Sequence, residues 1–154
     1  MDSLSNPIMV SYRLTTEDVS AFTANWQILL DVTGHFSIYV NGDHWYEESE
    51  FCLIEFAREI FGWLQATQDQ LVPLEYESME SEERPLLWIR PADSQWILGA
   101  VHARHPLTAT FSLPQIRRPF AGFVESLQRD IADRFGDEFA FRVRGVITGL
   151  SPLE

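Results

Sequence analysis

The sequence contains no lysine, so all eleven of its basic residues are arginines. Chemistry that needs a lysine amine, such as a Schiff base or the lysine of a phosphate-binding loop, is therefore excluded. Cysteine is almost as scarce, because Cys52 is the single one. One cysteine excludes an internal disulfide and a metal site built from several thiolates, and we interpret Cys52 as a buried structural thiol.

Long apolar runs are also missing, and none approaches the roughly 18 residues that a membrane-spanning helix needs. The N-terminal Met-Asp-Ser-Leu-Ser-Asn-Pro lacks the basic and apolar regions of a signal peptide. Together with the single cysteine, these absences predict a cytoplasmic protein. No phosphate loop, Gly-x-Ser-x-Gly or His-Glu-x-x-His motif occurs, so we predict no catalytic residue, no metal site and no cofactor.

The length of 154 residues, with 45% apolar and 13% aromatic residues, suits one domain with a sizeable core. We predict a single domain over residues 1–154, with ends that fray at about 1–6 and 146–154.

The clearest helical pattern spans residues 49–65. At about 100° per residue its apolar side chains fill roughly half of the circumference. They are Leu53, Ile54, Phe56, Ala57, Ile60, Phe61, Trp63 and Leu64. The other half holds Glu55, Arg58, Glu59, Gly62 and Gln65. Ser49 suits the N-cap, which predicts a first turn near Glu50.

Alternation of apolar and other residues predicts the strands. The strand-like segments are 8–15, 26–32, 36–40, 74–79, 86–90, 95–102, 107–113 and, near the end, 139–143. A second helix is predicted over 120–135, because its apolar residues recur every three or four positions. Segregated helices and strands joined by short turns predict an α+β fold, with two main helices packed on an antiparallel sheet.

The net charge of −12 is unevenly distributed. Residues 47–83 hold eleven acidic residues and one arginine, which gives this window alone a net charge of −10. Nucleic acid and anionic membranes repel such a surface, so we expect neither as a partner, whereas a basic protein would be attracted. The alternative is that this window is a solvated charged loop without a binding role.

An aromatic pair adjoins the start of the acidic window. Trp45 and Tyr46 follow a turn and precede Glu47 and Glu48, an order typical of an interface anchor with a charged rim. The alternative is that Trp45 packs at the start of the following helix. The predicted partner-binding residues are Trp45, Tyr46, Glu47, Glu48, Glu75, Glu77, Glu80, Glu82 and Glu83.

The stretch Phe-Ser-Ile-Tyr-Val-Asn-Gly-Asp-His-Trp-Tyr-Glu-Glu-Ser-Glu-Phe-Cys-Leu-Ile-Glu-Phe-Ala-Arg-Glu-Ile-Phe-Gly-Trp-Leu, residues 36–64, carries a family resemblance. With its flanks, over residues 26–142, it resembles small bacterial immunity-type proteins of polymorphic toxin systems and related bacterial families of unknown function. The resemblance implies an acidic, cytoplasmic, non-enzymatic binder, and it transfers no functional residue.

Two other functions stay open from the sequence. One is a small-ligand-binding or enzymatic domain, with a pocket between helix and sheet lined by tryptophans and histidines. Convergence of His44, His102 or His105 on one pocket would favour it. The other is a homodimer whose subunits meet through an exposed sheet face. The leading hypothesis is a protein-binding module that neutralises a basic partner in the manner of an immunity protein or antitoxin.

Overall fold

Two three-stranded antiparallel sheets and four helices make up the part of the chain, residues 6–151 and 153, that this computed structural model describes. The elements in order are β1 Ile8–Leu14, α1 Asn25–Asp31, β2 Thr33–Val40, β3 Asp43–Cys52, α2 Leu53–Ala66, β4 Leu74–Tyr76, β5 Leu87–Ala92, β6 Gln95–Ala100, α3 Leu113–Phe135 and α4 Asp137–Thr148. The predicted α+β class is confirmed. No helix in this described part is long and apolar enough to cross a membrane.

The first sheet has the strand order β1-β2-β3, with β2 in the centre. On β2, Phe36, Ile38 and Val40 are buried against the helices, while His35 and Tyr39 lie on the opposite, partly open face. β1 pairs with β2 over its whole length without irregularity. β3 pairs with two register shifts, which are β-bulges that bend the strand. The second sheet has the order β4-β5-β6.

The start of α2 is enclosed on every side, because residues 53–57 are all buried. The ring of Phe56 lies at the centre of an aromatic cluster that joins both sheets to α3. Ring centroids within 6.0 Å of Phe56 belong to Phe36, Phe51, Tyr76, Phe120 and Phe123. α2 is therefore the element on which the rest of the core packs.

The predicted start of this helix near Glu50 is wrong. β3 continues to Cys52, where Phe51 and Cys52 lie opposite Gly34 and Thr33 of β2, and α2 begins at Leu53. Cross-strand pairing and the burial of Phe51 outweigh the local preference for a helix after Ser49. Glu50 itself has a positive φ of 54° and belongs to the strand.

Residues 26–32 were predicted as a strand, but residues 25–31 form α1. Ile28, Leu29 and Val32 are buried together on one side of this short helix, whereas Trp26 is exposed. Two of the alternating apolar residues, Ile28 and Val32, are four positions apart, so the same pattern is also compatible with a helix. The strand predicted at 107–113 is reduced to one bridge between Phe111 and Trp96, since α3 already begins at Leu113.

The strand predicted at 139–143 is likewise wrong, because α4 covers this segment. Phe139, Val143 and Val146 are buried at spacings of four and three, which is the helical period. Val146 and Ile147 belong to the core, so the predicted fraying from residue 146 does not hold for these positions. Residues 1–5, 152 and 154 of the predicted frayed ends lie outside the described part of the chain.

The central role of Phe56 predicts a large effect of its truncation. Phe56→Ala should lower the free energy of unfolding by about 3–5 kcal/mol in urea denaturation, because the cavity is surrounded by rigid rings. Phe141→Ala removes the same atoms from a side chain that is 79% exposed, and should change stability by no more than about 0.5 kcal/mol. Equal losses in the two variants would contradict the assignment of Phe56 to the centre of the core.

Candidate functional site

Two acidic segments that are distant in the sequence meet around one small cleft. Glu48, Ser49 and Glu50 come from the end of β3, and Ser78, Glu80 and Ser81 come from the loop after β4. The lining is completed by Phe51, Cys52, Tyr76, Leu86 and His102, and the cleft has a volume of about 210 Å³. We call this feature the acidic cleft.

A buried carboxylate fixes the loop that forms one wall of the acidic cleft. Glu55 of α2 is only 5% exposed. Its Oε1 accepts hydrogen bonds from the Tyr76 hydroxyl at 2.8 Å and the Ser78 hydroxyl at 2.6 Å. Its Oε2 accepts a hydrogen bond from the main-chain N–H of Met79 at 3.1 Å. Three donors from one segment therefore satisfy a carboxylate that would be costly to bury alone.

The loop beyond Ser78 is held by its own serines. The Ser78 hydroxyl oxygen accepts the N–H of Glu80 at 3.1 Å, and the Ser81 hydroxyl oxygen accepts the N–H of Glu83 at 3.1 Å. Glu80 and Glu82 are exposed and Glu83 is half-buried. Within the described residues none of these three glutamates forms an ion pair.

Other glutamates of the predicted binding set are already paired with cations. Glu75 contacts Arg90 at 2.5 Å, and Glu77 contacts Arg84 at 3.5 Å. These intramolecular pairs reduce the negative potential of the β4 strand, so uncompensated charge is concentrated at the loop that follows it.

Glu47 also has intramolecular partners, on the open face of the first sheet. Its carboxylate lies 2.6 Å from His35, 3.4 Å from Arg104 and 3.8 Å from His44. Glu48, its neighbour in the strand, lies at the acidic cleft instead. The predicted set is therefore divided between two faces of the molecule.

Trp45 and Tyr46 do not lie at the surface, since they are 1% and 0% exposed. The Trp45 ring N–H donates to the carbonyl of His105 at 2.7 Å, and the Tyr46 hydroxyl donates to Glu48 at 3.3 Å. A bulge next to Tyr46 interrupts the alternation of β3, so two consecutive side chains point inward. The local sequence does not predict this bulge. Tyr46 therefore contacts a carboxylate of the acidic cleft from inside the core, and neither aromatic residue is an exposed anchor.

Sequence reasoning placed Glu55 on the polar face of its helix and so missed its role. The available signal was its position among four apolar neighbours, residues 53, 54, 56 and 57, which together surround the helix. Alternation along the predicted strand 74–79 puts Tyr76 and Ser78 on one face, but nothing in the sequence identifies the carboxylate that they bind.

His44, His102 and His105 do not converge on one pocket. His44 lies on the open sheet face, stacked on Tyr39 with ring centroids 4.6 Å apart. His102 lines the acidic cleft, and the ring of His105 contacts the carbonyl of Pro106. A larger groove of about 500 Å³ between α2 and the end of α4 includes Trp63, but no histidine lines it.

Cys52 lines the inner end of the acidic cleft as a buried thiol. Burial raises the pKa of this thiol from 9.0 to about 12, and the Glu55 and Glu80 carboxylates add to the rise. The thiol points its proton at the carbonyl of Leu30, 3.4 Å away. A thiol with this pKa stays protonated at neutral pH and is a poor nucleophile.

Truncation of Glu55 should loosen the loop of the acidic cleft. Glu55→Ala leaves the hydroxyls of Tyr76 and Ser78 without their acceptor, and we expect a loss of about 2–4 kcal/mol in the free energy of unfolding. Amide hydrogen exchange over residues 77–83 should become faster. Glu59→Ala, an exposed carboxylate one turn away, should change neither quantity. Unchanged exchange in Glu55→Ala would show that the loop is held by other contacts.

The raised pKa of Cys52 predicts low reactivity. At pH 8 the thiolate fraction should be about 1000-fold smaller in the folded chain than in an exposed cysteine, and burial should slow alkylation further. Iodoacetamide should thus modify the native protein very slowly and the urea-unfolded protein quickly. Rapid alkylation of the folded chain at pH 8 would contradict this expectation.

The same shift predicts how stability depends on pH. Because the pKa of the Cys52 thiol is higher in the folded chain than in the unfolded chain, the free energy of unfolding should fall as the pH rises from about 9 towards 12.

One family model matches this chain, over residues 10–133, which include both walls of the acidic cleft. Its description is a domain of unknown function, DUF7878. No curated protein and no solved structure matches the chain. The matched segment extends from β1 to the last turn of α3 and covers well over half of the sequence. The chain therefore belongs to the DUF7878 family of domains of unknown function.

Proposed function

We propose that this chain is a non-enzymatic protein-binding module that holds a basic segment of a partner protein at the acidic cleft. The observation that carries the proposal is the meeting of Glu48, Glu50 and Glu80 around one cleft, next to Glu82 and Glu83, which form no ion pair with any described residue. Carboxylates without an internal cation are available to an external one, and their combined field attracts a basic surface over several ångströms.

The size and lining of the acidic cleft favour a side chain over a small molecule. Its volume of about 210 Å³ is below the roughly 300–1,000 Å³ of ligand pockets. The Tyr76 and Leu86 side chains offer an apolar wall for the methylene stem of an arginine or lysine, and the carboxylates at the rim suit its charged head. A basic residue of the partner is thus the occupant that fits.

A toxin that cuts nucleic acid is one class of partner with the required chemistry, because its active site is built to bind phosphate and is therefore basic. An acidic protein that covers such a site neutralises the toxin, as immunity proteins and antitoxins do. This role places the chain in the bacterial cytoplasm, together with the enzyme that it restrains. The rigid attachment of the loop to Glu55 supports it, since a preorganised surface loses less entropy on binding.

The second candidate is a small-ligand-binding or enzymatic domain. The groove between α2 and α4 supports it, because a volume of about 500 Å³ lies within the range of ligand pockets. Its polar groups are partly engaged already: Arg58 donates to the carbonyl of Val146 and the Trp63 ring donates to the carbonyl of Val72. We rank it below the acidic cleft for that reason.

The test compares three forms of the protein immobilised for capture from a bacterial lysate. The cleft variant carries Glu80→Lys, Glu82→Lys and Glu83→Lys. The control variant carries Glu17→Lys, Asp69→Lys and Asp133→Lys, which reverse three exposed carboxylates elsewhere and give the same net charge. We expect wild-type protein and control to retain the same basic protein at low salt, and the cleft variant to lose it.

Binding that depends on the acidic cleft should also be sensitive to salt. The association rate of the captured protein with the wild-type chain should fall as ionic strength rises, and the residual rate of the cleft variant should depend on salt much less. Capture at the wild-type level by both the cleft variant and the control would contradict the proposal. Binding lost equally from both would contradict it as well, because overall charge alone would then account for the attraction.

A further inference from the structure

The four edge strands of the two sheets differ in how they are protected from pairing with another strand. β3 carries two bulges and several acidic residues, and β4 is only three residues long. β6 exchanges main-chain hydrogen bonds with Phe111 at 2.8 and 2.9 Å through Trp96. β1 has seven residues in regular register, without a bulge or an internal proline, and its one charged residue is Arg13. Within the described residues β1 is therefore the unprotected edge.

The outward main-chain groups of β1 can be assigned from its pairing with β2. The Asn41 N–H donates to the Pro7 carbonyl, and the Thr15 N–H donates to the Thr33 carbonyl. Odd-numbered residues of this segment thus bond to β2, and the N–H and C=O groups of even-numbered residues point away from the sheet.

Among the outward N–H and C=O groups of β1, only one group at each end has a hydrogen-bond partner in the described part of the chain. The Ile8 N–H donates to the Asn6 side chain at 3.2 Å, and the Leu14 carbonyl accepts from Arg134 at 3.1 Å. No hydrogen-bond partner faces the outward N–H and C=O groups of Val10 and Tyr12 in the described part of the chain. The centre of β1 is thus an open edge of donors and acceptors.

An apolar groove adjoins this edge. It lies between β1 and α3 and has a volume of about 470 Å³. Most of its lining is apolar or aromatic, including Val10, Tyr12, Pro119 and Phe123, and Asn6 and Ser126 add polar side chains. Side chains of a strand added beside β1 would enter it, because alternate residues of neighbouring strands point to the same side of a sheet.

We propose that β1 pairs with β1 of a second copy, antiparallel across a two-fold axis at Ser11, to form a six-stranded sheet. In this register Val10 lies opposite Tyr12 of the other copy, and each such pair exchanges both of its main-chain hydrogen bonds. Every free group at the centre of the edge is then used. At each end Ile8 lies opposite Leu14 of the other copy: the Ile8 N–H and the Leu14 carbonyl already have partners, and the Leu14 N–H is left to donate to the Ile8 carbonyl.

The charges of β1 suit a second copy. With Ser11 on the axis, Arg13 lies opposite Met9 and no two like charges face each other. Ile8 lies opposite Leu14, so the side facing the helices pairs apolar or aromatic residues only. A chain with a net charge of −12 resists self-association through its acidic faces, and next to β1 the carboxylates Asp130 and Asp133 are accompanied by Arg13 and Arg134.

The test measures the molecular mass in solution by analytical ultracentrifugation. Wild-type protein should reach twice the chain mass of 17.8 kDa at micromolar concentration. Ser11→Glu and Ser11→Lys each place two like charges opposite each other on the axis, and each should weaken the dimer by roughly tenfold. An equal mixture of the two variants should dimerise again, because the charges are then opposite. The amides of Val10 and Tyr12 should exchange slowly in every dimeric sample and quickly in every monomeric one.

Ser94→Glu and Ser94→Lys, at an exposed turn between β5 and β6, are the matched controls and should dimerise as the wild type does. Circular dichroism confirms that each variant is folded. Wild-type protein that stays monomeric up to millimolar concentration overturns the proposal and leaves the edge to a strand of another protein. Ser11 variants that dimerise normally, or a mixture that does not regain the dimer, overturn it as well.

Discussion

The burial of Glu55 is the constraint on which the rest of the candidate site depends. α2 begins inside the molecule, with aromatic rings and apolar side chains around residues 53–57, so a carboxylate on this turn has very little contact with bulk water. Its charge is tolerated because Tyr76, Ser78 and the Met79 amide donate to it. Burial and the adjacent carboxylate raise the pKa of Tyr76, which keeps its hydroxyl protonated as a donor. The core thereby fixes the position of an acidic surface loop.

This coupling separates the negative charges of the chain into two groups. Glu47, Glu75 and Glu77 have arginine or histidine partners, and such exposed pairs contribute little to stability while they cancel one another's field. Glu80, Glu82 and Glu83 follow the segment that Glu55 holds and have no such partner within the described residues. The hydrogen bonds to Glu55 therefore hold in place a loop whose negative charges are not neutralised by neighbouring cations. A fixed, uncompensated charge of this kind is the pattern expected of a binding surface.

The sequence was sufficient for the class of fold and for most of the core. The apolar positions of α2, including Ile54, Phe56 and Ile60, are buried as their spacing predicted. Short segments were less predictable, because alternation and helical spacing coincide over few residues, as in α1 and α4. The inward turn of Trp45 and Tyr46 depends on a bulge in β3, and the role of Glu55 on donors more than 20 residues away. Neither the inward turn of these aromatic residues nor the role of Glu55 can be predicted from the pattern of neighbouring residues in the sequence.

The two proposed surfaces lie at opposite edges of the first sheet and so do not compete. β1 is one edge strand, and the end of β3, which supplies Glu48 and Glu50, is the other. A sheet extended through β1 would carry one acidic cleft near each end. A partner with two basic segments, or a dimeric partner, could then occupy both clefts, and the second contact would form at high effective concentration. Self-association would in this way strengthen binding without any change in the cleft itself.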